Sequence, residues 1–321
     1  MYFHRAGGAR IRSDWPLPSL APAEDAPPSE DDLALLRAPA PFGEPDRWVF
    51  NERFEDTSEP WRAVGVLGQR YLVRLFDLAD FLLDRDARIV RVFLAPGAPP
   101  AVVEPLFLEQ ALPLFWSLAG KPCLHASAVA WGDGEGARAV AFAGRSGSGK
   151  STLAGHLAAS GPDAGAEAGA LLADDCLVVE IAGDRVIAHP GHRSVRLLAD
   201  SAEALFASPT AGERSIDGGK RRLDLRGGTR ALPLARIYLL EALDPSEAAP
   251  ALSVLRRRDA VAQLASCLFR IDPGDRSRLA DELSLLDRIA SRTVVARLSV
   301  PRSFEALDDV RARIAADLER C

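Results

Sequence analysis

Residues 137–152 read ARAVAFAGRSGSGKST, and this stretch determines the fold class that we predict. Its apolar first part predicts a β-strand over 137–143, and the run that starts at Lys150 predicts a helix over 150–160. The link between them, residues 144–151, fits the pattern G-x-x-x-x-G-K-[S/T] in full. Glycines let such a link turn sharply, so that several backbone N–H groups point at one phosphate, and the helix N-terminus adds its dipole. A strand, a phosphate-binding loop and a helix in this order predict an α/β core.

The loop has the residues needed to bind Mg-ATP. Lys150, one of only three lysines in the chain, would neutralise the β- and γ-phosphates, and Ser151 would hold Mg²⁺. The alternative is a glycine- and serine-rich turn that merely opens a helix. The predicted nucleotide-binding residues, several of them through the backbone alone, are Gly144, Arg145, Ser146, Gly147, Ser148, Gly149, Lys150, Ser151 and Thr152.

Two adjacent acids, Asp174 and Asp175, follow the apolar run 170–173. A phosphate-loop site needs a carboxylate at a strand end to bind Mg²⁺ directly or through water. We predict one strand over 171–181, in which successive side chains point to opposite faces. One acid would then serve the metal while the other addresses the hydroxyl of an acceptor. The alternative is a pair of solvated acids at a turn.

Other polar residues near this pattern are less specific. His125 lies in a strand predicted over 124–131 and is either a site residue or a buried histidine with a satisfied hydrogen bond. The remaining histidines have no metal-ligand spacing. Basic residues at 220–222, together with Arg193 and Arg196, are candidate phosphate contacts or solvated charges.

Composition excludes several classes of protein. The chain has 321 residues, of which 48% are hydrophobic and 26% charged, which is the balance of a globular protein. Its net charge of −6 provides no bulk basic field for nucleic acid or an anionic membrane. No apolar run predicts a signal peptide or a membrane span. The four cysteines show no CxxC spacing, so we expect reduced thiols, no disulfide framework and a cytoplasmic location.

The length predicts about two domains. Residues 1–120 carry short aromatic and β-branched runs and are predicted to be mainly β, with residues 13–45, rich in proline, alanine and acid, partly disordered. Residues 121–321 are predicted to form the α/β domain, in which 162–170 is a low-complexity alanine- and glycine-rich loop. Its helices are predicted over 200–206, 257–269, 277–291 and 303–318, the last with Ser303 as N-cap.

Three features in order, Leu124-His125-Ala126, the loop 144–151 and Ala173-Asp174-Asp175, resemble the HPr kinase/phosphorylase family and its related proteins. The resemblance covers roughly residues 121–240. It implies a P-loop core of the HPr kinase/phosphoenolpyruvate-carboxykinase type, a smaller mainly-β N-terminal region, the use of ATP and Mg²⁺, and a homo-oligomer. It also implies that Asp175 is the catalytic base, that Asp174 lies near the metal and that His125 lies on the phosphate side, although the order of the two acids stays open.

The chain departs from HPr kinases in three places. Lys150 and Asp174 are 24 positions apart, which is longer than the family usually allows, and the alanine- and glycine-rich stretch near 162–170 accounts for the excess. Thr152 stands where those enzymes commonly have an acid, and the segment HPGHRSVRL at 189–197 replaces their glycine/isoleucine signature. The segment is similar to that of related proteins, some of which accompany lasso-peptide biosynthesis. We therefore predict an ATP-dependent kinase that phosphorylates a hydroxyl, a serine of a protein or peptide, with no nucleic-acid or membrane partner. One alternative is a nucleotide-binding ATPase or switch without an acceptor. Another is a non-catalytic partner in a biosynthetic cluster, with the N-terminal sheet as its docking surface.

Overall fold

The computed structural model describes residues 1–24, 27, 29, 32–54, 58–132, 134–159, 168–206, 219–225, 227–243 and 249–320. The chain divides into two compact units, one of Met1–Lys121 with Phe269–Leu279 and one of Pro122–Leu268 with Ala280–Cys321. The segment 269–279, which the sequence analysis assigns to the second domain, therefore clusters with the first unit. No helix in the described part of the chain is long and apolar enough to cross a membrane.

The first unit is built on one sheet. Its strands are β1 Tyr2–Ala6, β2 Ala9–Ser13, β3 Ala21–Pro22, β4 Leu33–Arg37, β5 Arg47–Arg53, β6 Pro60–Leu67, β7 Arg70–Leu75, β8 Ala79–Asp84 and β9 Ile89–Leu94. Among the described residues their order is β3-β1-β2-β4-β9-β8-β7-β6-β5. Strand β4 pairs in parallel with β2 and β9, while the other neighbours are antiparallel. The prediction of a mainly-β N-terminal region agrees with this sheet.

Most of the segment predicted to be partly disordered is folded. Trp15, Leu17 and Leu20 are buried, and β4 places Leu33 and Leu35 in the core. Apolar side chains between the prolines stabilise this segment, because their burial offsets the cost of ordering the chain. Residues 25, 26, 28, 30 and 31 lie outside the described part.

A helical stretch follows β9. It consists of α1 Val103–Leu106, a π-helical turn Phe107–Ala111 and α2 Leu112–Leu118. Pro113 lies at the start of α2, directly after the π-helical turn. A proline cannot donate the usual backbone hydrogen bond to the preceding turn, and a wider turn is a common way for a helix to accommodate it.

The second unit contains the remaining elements. Its strands are β10 Cys123–Leu124, β11 Ala126–Trp131, β12 Arg138–Ala143, β13 Ala168–Ala173, β14 Leu177–Ala182, β15 Arg185–Ala188, β16 Ser194–Leu197, β17 Arg221–Asp224, β18 Leu232–Ala242, β19 Ala251–Val254 and β20 Val294–Val300. Its helices are α3 Lys150–Ala159, α4 Ala199–Leu205, α5 Arg257–Ser266, α6 Arg276–Ala290, of which the part from Ala280 belongs to this unit, and α7 Leu307–Leu318.

The main sheet of this unit is mixed. Among the described residues its order is β10-β14-β15-β18-β12-β11-β13, with β20 also pairing with β18 and β19 pairing with β20. Strands β12, β18 and β20 are parallel, whereas β11 is antiparallel to both β12 and β13. Strands β16 and β17 form a separate two-stranded ribbon.

Helices cover both faces of the main sheet, because apolar side chains along β12 point alternately to one face and the other. Ala139 and Ala141 pack in a cluster that includes Leu264 of α5 and Leu286 of α6. The intervening Val140 and Phe142 pack in a second cluster, with Leu153 and Leu157 of α3 and Val310 and Ile314 of α7. Parallel strands need both faces covered, and this three-layer arrangement supplies it. The chain is thus mixed α/β, as predicted.

Three segments of the second unit differ from their predicted structure or extend beyond the described part of the chain. The single strand predicted over 171–181 is wrong: it is two strands, β13 and β14, joined by a tight turn, because β13 pairs with β11 while β14 pairs with β10 and β15. Ser303 is not an N-cap, since α7 begins at Leu307 and the Ser303 hydroxyl instead accepts the Glu305 N–H. In the predicted loop 162–170, residues 162–167 lie outside the described part and 168–170 begin β13.

Candidate functional site

The glycine-rich loop lies between the end of β12 and the start of α3. Its glycines adopt positive φ angles, and Gly144 has φ 148°. A Cβ atom at Gly144 would lie 3.0 Å from both the Leu240 carbonyl oxygen and the Ser148 Oγ. Only glycine therefore fits this position, and the loop can pass close to β18 without a side chain in between.

Lys150 points back into this loop. Its Nζ donates hydrogen bonds to the carbonyl oxygens of Gly144 (3.0 Å) and Arg145 (2.9 Å), and the residue is buried. Burial lowers the pKa of Lys150, and the charges of Asp175 and Asp174 act in the opposite direction. The loop thus surrounds an ammonium group that lies near two carboxylates.

Asp174 is fully buried at the end of β13. Its Oδ1 accepts a hydrogen bond from the Ser127 hydroxyl at 2.5 Å, and its Oδ2 accepts one from the Arg196 backbone N–H at 3.2 Å. Burial raises the pKa of Asp174 and the negative charge of Asp175 raises it further, while hydrogen bonds from Ser127 and Ser151 oppose the rise. The carboxylate of Asp174 is therefore fixed on two sides and in contact with the loop serine.

Asp175 has a left-handed backbone, with φ 58°. Its Oδ2 accepts hydrogen bonds from the Arg196 guanidinium, one of them from Nε at 3.0 Å. Burial raises the pKa of Asp175, but the positive charge and hydrogen bonds of Arg196 outweigh it and lower the pKa below its ordinary value. The two acids thus have different side-chain partners, and they lie in a turn rather than in the extended strand that the sequence predicts.

His125 interrupts the strand predicted over 124–131, between β10 and β11. Its backbone N–H donates to the Cys267 carbonyl at 2.6 Å, and its Nε2 lies 3.8 Å from Asp175 Oδ1. Burial and the charge of Lys150 lower the pKa of His125 to about 4, against the charge of Asp175. The ring is therefore neutral at pH 7 and borders the same carboxylate that Arg196 holds.

The ribbon of β16 and β17 brings basic residues to these acids. Arg196 lies opposite Arg222, and Lys220 precedes β17. The charge of Lys220 lowers the pKa values of both Lys150 and His125, which places it within electrostatic range of the site. Arg196 pairs with Asp175, whereas Arg193 lies against Gly227, where an added Cβ would come within 2.2 Å of its side chain. Phosphate contacts by residues 220–222 stay a prediction.

Thr152 and three other predicted nucleotide-binding residues differ in their surroundings. The Thr152 hydroxyl lies 3.5 Å from that of Ser201 in α4, so it faces the neighbouring helix. Arg145 and Ser146 are exposed, and the Ser148 hydroxyl is turned inward towards Gly144.

The cysteines differ from the expectation of reduced thiols. The structure pairs Cys123 with Cys176 as a disulfide, with Cα atoms 6.1 Å apart. The antiparallel register of β10 and β14, in which Cys123 lies opposite Val178, brings together residues separated by 53 positions. Sequence spacing could not reveal this pair, because the contact depends on how the two strands pair.

No family model and no curated protein matches the chain. Among solved structures, the chain is similar to the HPr(Ser) kinase/phosphatase from Coxiella burnetii, at 12% identity and a TM-score of 0.30, over 62% of this chain and 97% of that chain. At this TM-score the likeness carries no argument about fold or function, so the site must be interpreted from its own residues.

The donor atoms present fit Mg²⁺. The Ser151 hydroxyl lies close enough to the Asp174 carboxylate to lower the pKa of Asp174, so two hard oxygen ligands lie near each other at the start of α3. No group of three or more His, Cys, Asp or Glu residues in the described part could hold a metal by itself. Mg²⁺ does not require one, because it is usually bound by one or two side chains together with substrate phosphates and water.

Two residues contact the acids in ways that the sequence does not reveal. Ser127 was not singled out, although it is the one hydroxyl in the strand ASAVAW. Arg196 was considered as a phosphate contact, whereas its guanidinium pairs with Asp175 and its backbone binds Asp174. A polar residue in an otherwise apolar strand is the signal that could have identified Ser127.

Proposed function

We propose that the chain is an ATP-dependent kinase that transfers the γ-phosphoryl group to a hydroxyl, namely a serine of a protein or peptide, on a P-loop core of the HPr-kinase type. The observation that carries the proposal is one juxtaposition. Lys150 lies in the glycine-rich loop, Asp174 contacts Ser151, and Asp175 faces His125 on the other side of a single turn.

The loop would bind the phosphates of ATP. Its backbone N–H groups and the N-terminus of α3 favour an anion, and Lys150 would exchange its two carbonyl partners for phosphate oxygens. Mg²⁺, held by Ser151 and Asp174, would neutralise charge on the β- and γ-phosphates when bound. The contact between Ser151 and Asp174 supports the assignment of Asp174, rather than Asp175, to the metal.

Asp175 would orient the acceptor. Its Oδ2 is engaged by Arg196, whereas the gap of 3.8 Å between Oδ1 and His125 is longer than a hydrogen bond. Oδ1 is therefore placed to accept a hydrogen bond from the incoming hydroxyl. The hydroxyl oxygen bonds to the γ-phosphorus, the bond from that phosphorus to the bridging oxygen of ADP breaks, and the hydroxyl proton leaves towards Asp175. A carboxylate with a lowered pKa stays ionised, which suits an orienting role in a reaction that relies mainly on positioning.

The proposal is tested with γ-³²P-labelled ATP, Mg²⁺ and a mixture of synthetic peptides with one serine in random flanks. We expect label on peptide from the wild type. Asp175→Asn should lose transfer but keep nucleotide binding, and Lys150→Ala should lose both. Asp184→Asn, which makes the same charge change in an exposed turn, should behave as the wild type. ATP hydrolysis that depends on Lys150, with no label on any peptide, would support the ATPase or switch instead.

Location and assembly are separate from this chemistry. The cytoplasmic location and the homo-oligomer stay predictions of the sequence analysis.

A further inference from the structure

Ser127 is a buried hydroxyl in an apolar environment. It lies in β11, opposite Phe142 of β12, and is fully buried. The next residues on its side of the strand, Val129 and Trp131, belong to the apolar cluster that packs against α3. A hydroxyl in such a position costs free energy unless it is hydrogen-bonded, so its partner must account for its presence.

That partner is Asp174. The Ser127 Oγ lies 2.5 Å from Asp174 Oδ1, a length typical of a hydroxyl that donates to an ionised carboxylate. The other oxygen, Oδ2, accepts the backbone N–H of Arg196 at 3.2 Å. With at least one donor on each oxygen, the carboxylate plane is fixed from β11 on one side and from β16 on the other.

We propose that Ser127 is a positioning residue that holds the Asp174 carboxylate in the orientation needed to bind a divalent cation together with Ser151. The inference rests on the proposed function, because it assigns the metal to Asp174. Ser127 does not touch the cation in this arrangement and acts through the carboxylate that it orients. Residues that orient a ligand in this way commonly change metal affinity by 10- to 100-fold when they are removed.

The test measures metal binding directly rather than turnover. Mn²⁺ replaces Mg²⁺ and is titrated by electron paramagnetic resonance in the presence of a non-hydrolysable ATP analogue. We expect Ser127→Ala to weaken Mn²⁺ binding by about 10- to 100-fold. Affinity for the analogue in EDTA should be unchanged, because the glycine-rich loop and Lys150 are intact. Ser127→Cys keeps a side chain of similar size with a weaker hydrogen-bond donor. Its Mn²⁺ affinity should lie between those of the alanine variant and the wild type.

A matched control separates positioning from stability. Ser13 in the first unit is also fully buried, and its Oγ accepts the Trp15 N–H at 3.0 Å. Ser13→Ala removes the same atom from equal burial and should leave Mn²⁺ affinity unchanged. Equal Mn²⁺ affinity in the wild type, Ser127→Ala and Ser127→Cys would overturn the inference and leave Ser127 as a packing residue.

Failure of the proposed function is distinguishable from failure of this inference. If the wild type binds Mn²⁺ and nucleotide but labels no acceptor, the kinase proposal fails and the role of Ser127 is still supported by the affinity change. If the wild type binds the analogue but no Mn²⁺, the metal assignment and the role of Ser127 both fall.

Discussion

The ion pair between Arg196 and Asp175 gives the sharpest prediction. Both side chains are mostly buried, with 10% and 14% of their surfaces exposed. With Nε and Oδ2 3.0 Å apart and an effective dielectric constant of 20, their attraction is about 5 kcal/mol. Removing one partner of such a pair leaves an uncompensated buried charge, which typically costs about 3–5 kcal/mol.

We therefore expect Arg196→Met to lower the free energy of unfolding by about 3–5 kcal/mol at pH 7. The backbone N–H that Asp174 accepts is kept in this variant, so the loss reports on the side chain alone. The double variant Arg196→Met/Asp175→Asn should recover most of the loss, because it removes both charges. Urea denaturation followed by circular dichroism compares these two variants and the single variant Asp175→Asn with the wild type. Arg297→Met breaks an exposed pair with Glu241 and should cost less than about 1 kcal/mol.

The pH dependence provides an independent check. In the wild type the pKa of Asp175 is below its ordinary value of 3.8, so its stabilising contribution is present above that value and is lost as the pH falls further. Without Arg196, burial raises the pKa of Asp175, and protonation then relieves the buried charge as the pH falls. The difference between variant and wild type should thus shrink from pH 7 to pH 5. The reasoning would be refuted if Arg196→Met lowered the free energy of unfolding by less than about 1 kcal/mol. It would also be refuted if the effects of the two single substitutions added up to that of the double variant.

Three further predictions follow from the same structure. Burial lowers the pKa values of His125 and His192 to about 4, so NMR should find both rings neutral at pH 6. The free energy of unfolding should decrease as the pH falls below 6.5, because the unfolded chain then binds protons that the folded chain does not. Titration of either ring near pH 6.5 would contradict this prediction. Breaking the disulfide with Cys176→Ser should cost up to about 4 kcal/mol for a loop of 53 residues, and non-reducing peptide mapping should show the 123–176 link. Gly155→Ala should stabilise α3 by about 0.5–1 kcal/mol in thermal unfolding, since its Cβ would meet only ordinary contacts at 3.7–3.8 Å, and destabilisation would show that the space is absent.

The sequence predicts local parts of the site well and their long-range partners poorly. The strand, loop and helix over 137–160 are found as β12, the glycine-rich loop and α3, because the order of apolar residues, glycines and helix formers is a local signal. The turn at Asp174 was missed because Leu171 to Ile181 is an almost continuous apolar run. Only strand pairing separates it into β13 and β14.

The same limit applies to contacts across the fold. Ser127 is 47 positions from Asp174, and Arg196 is 21 from Asp175. No periodicity in the sequence joins such residues. The return of 269–279 to the first unit is also set by tertiary packing.

The left-handed turn at Asp175 divides the site into two halves that are contacted by different groups. One half consists of Ser127, Ser151 and the backbone N–H of residue 196 around Asp174. The hydrogen bond from this backbone N–H does not depend on the side chain at position 196. The other half consists of side chains around Asp175. Substitutions in the ribbon or at position 125 can therefore alter what is presented to Asp175 while the partners of Asp174 are retained. Under the proposed function, this division lets the residues that face the acceptor change while those that would bind the nucleotide are retained.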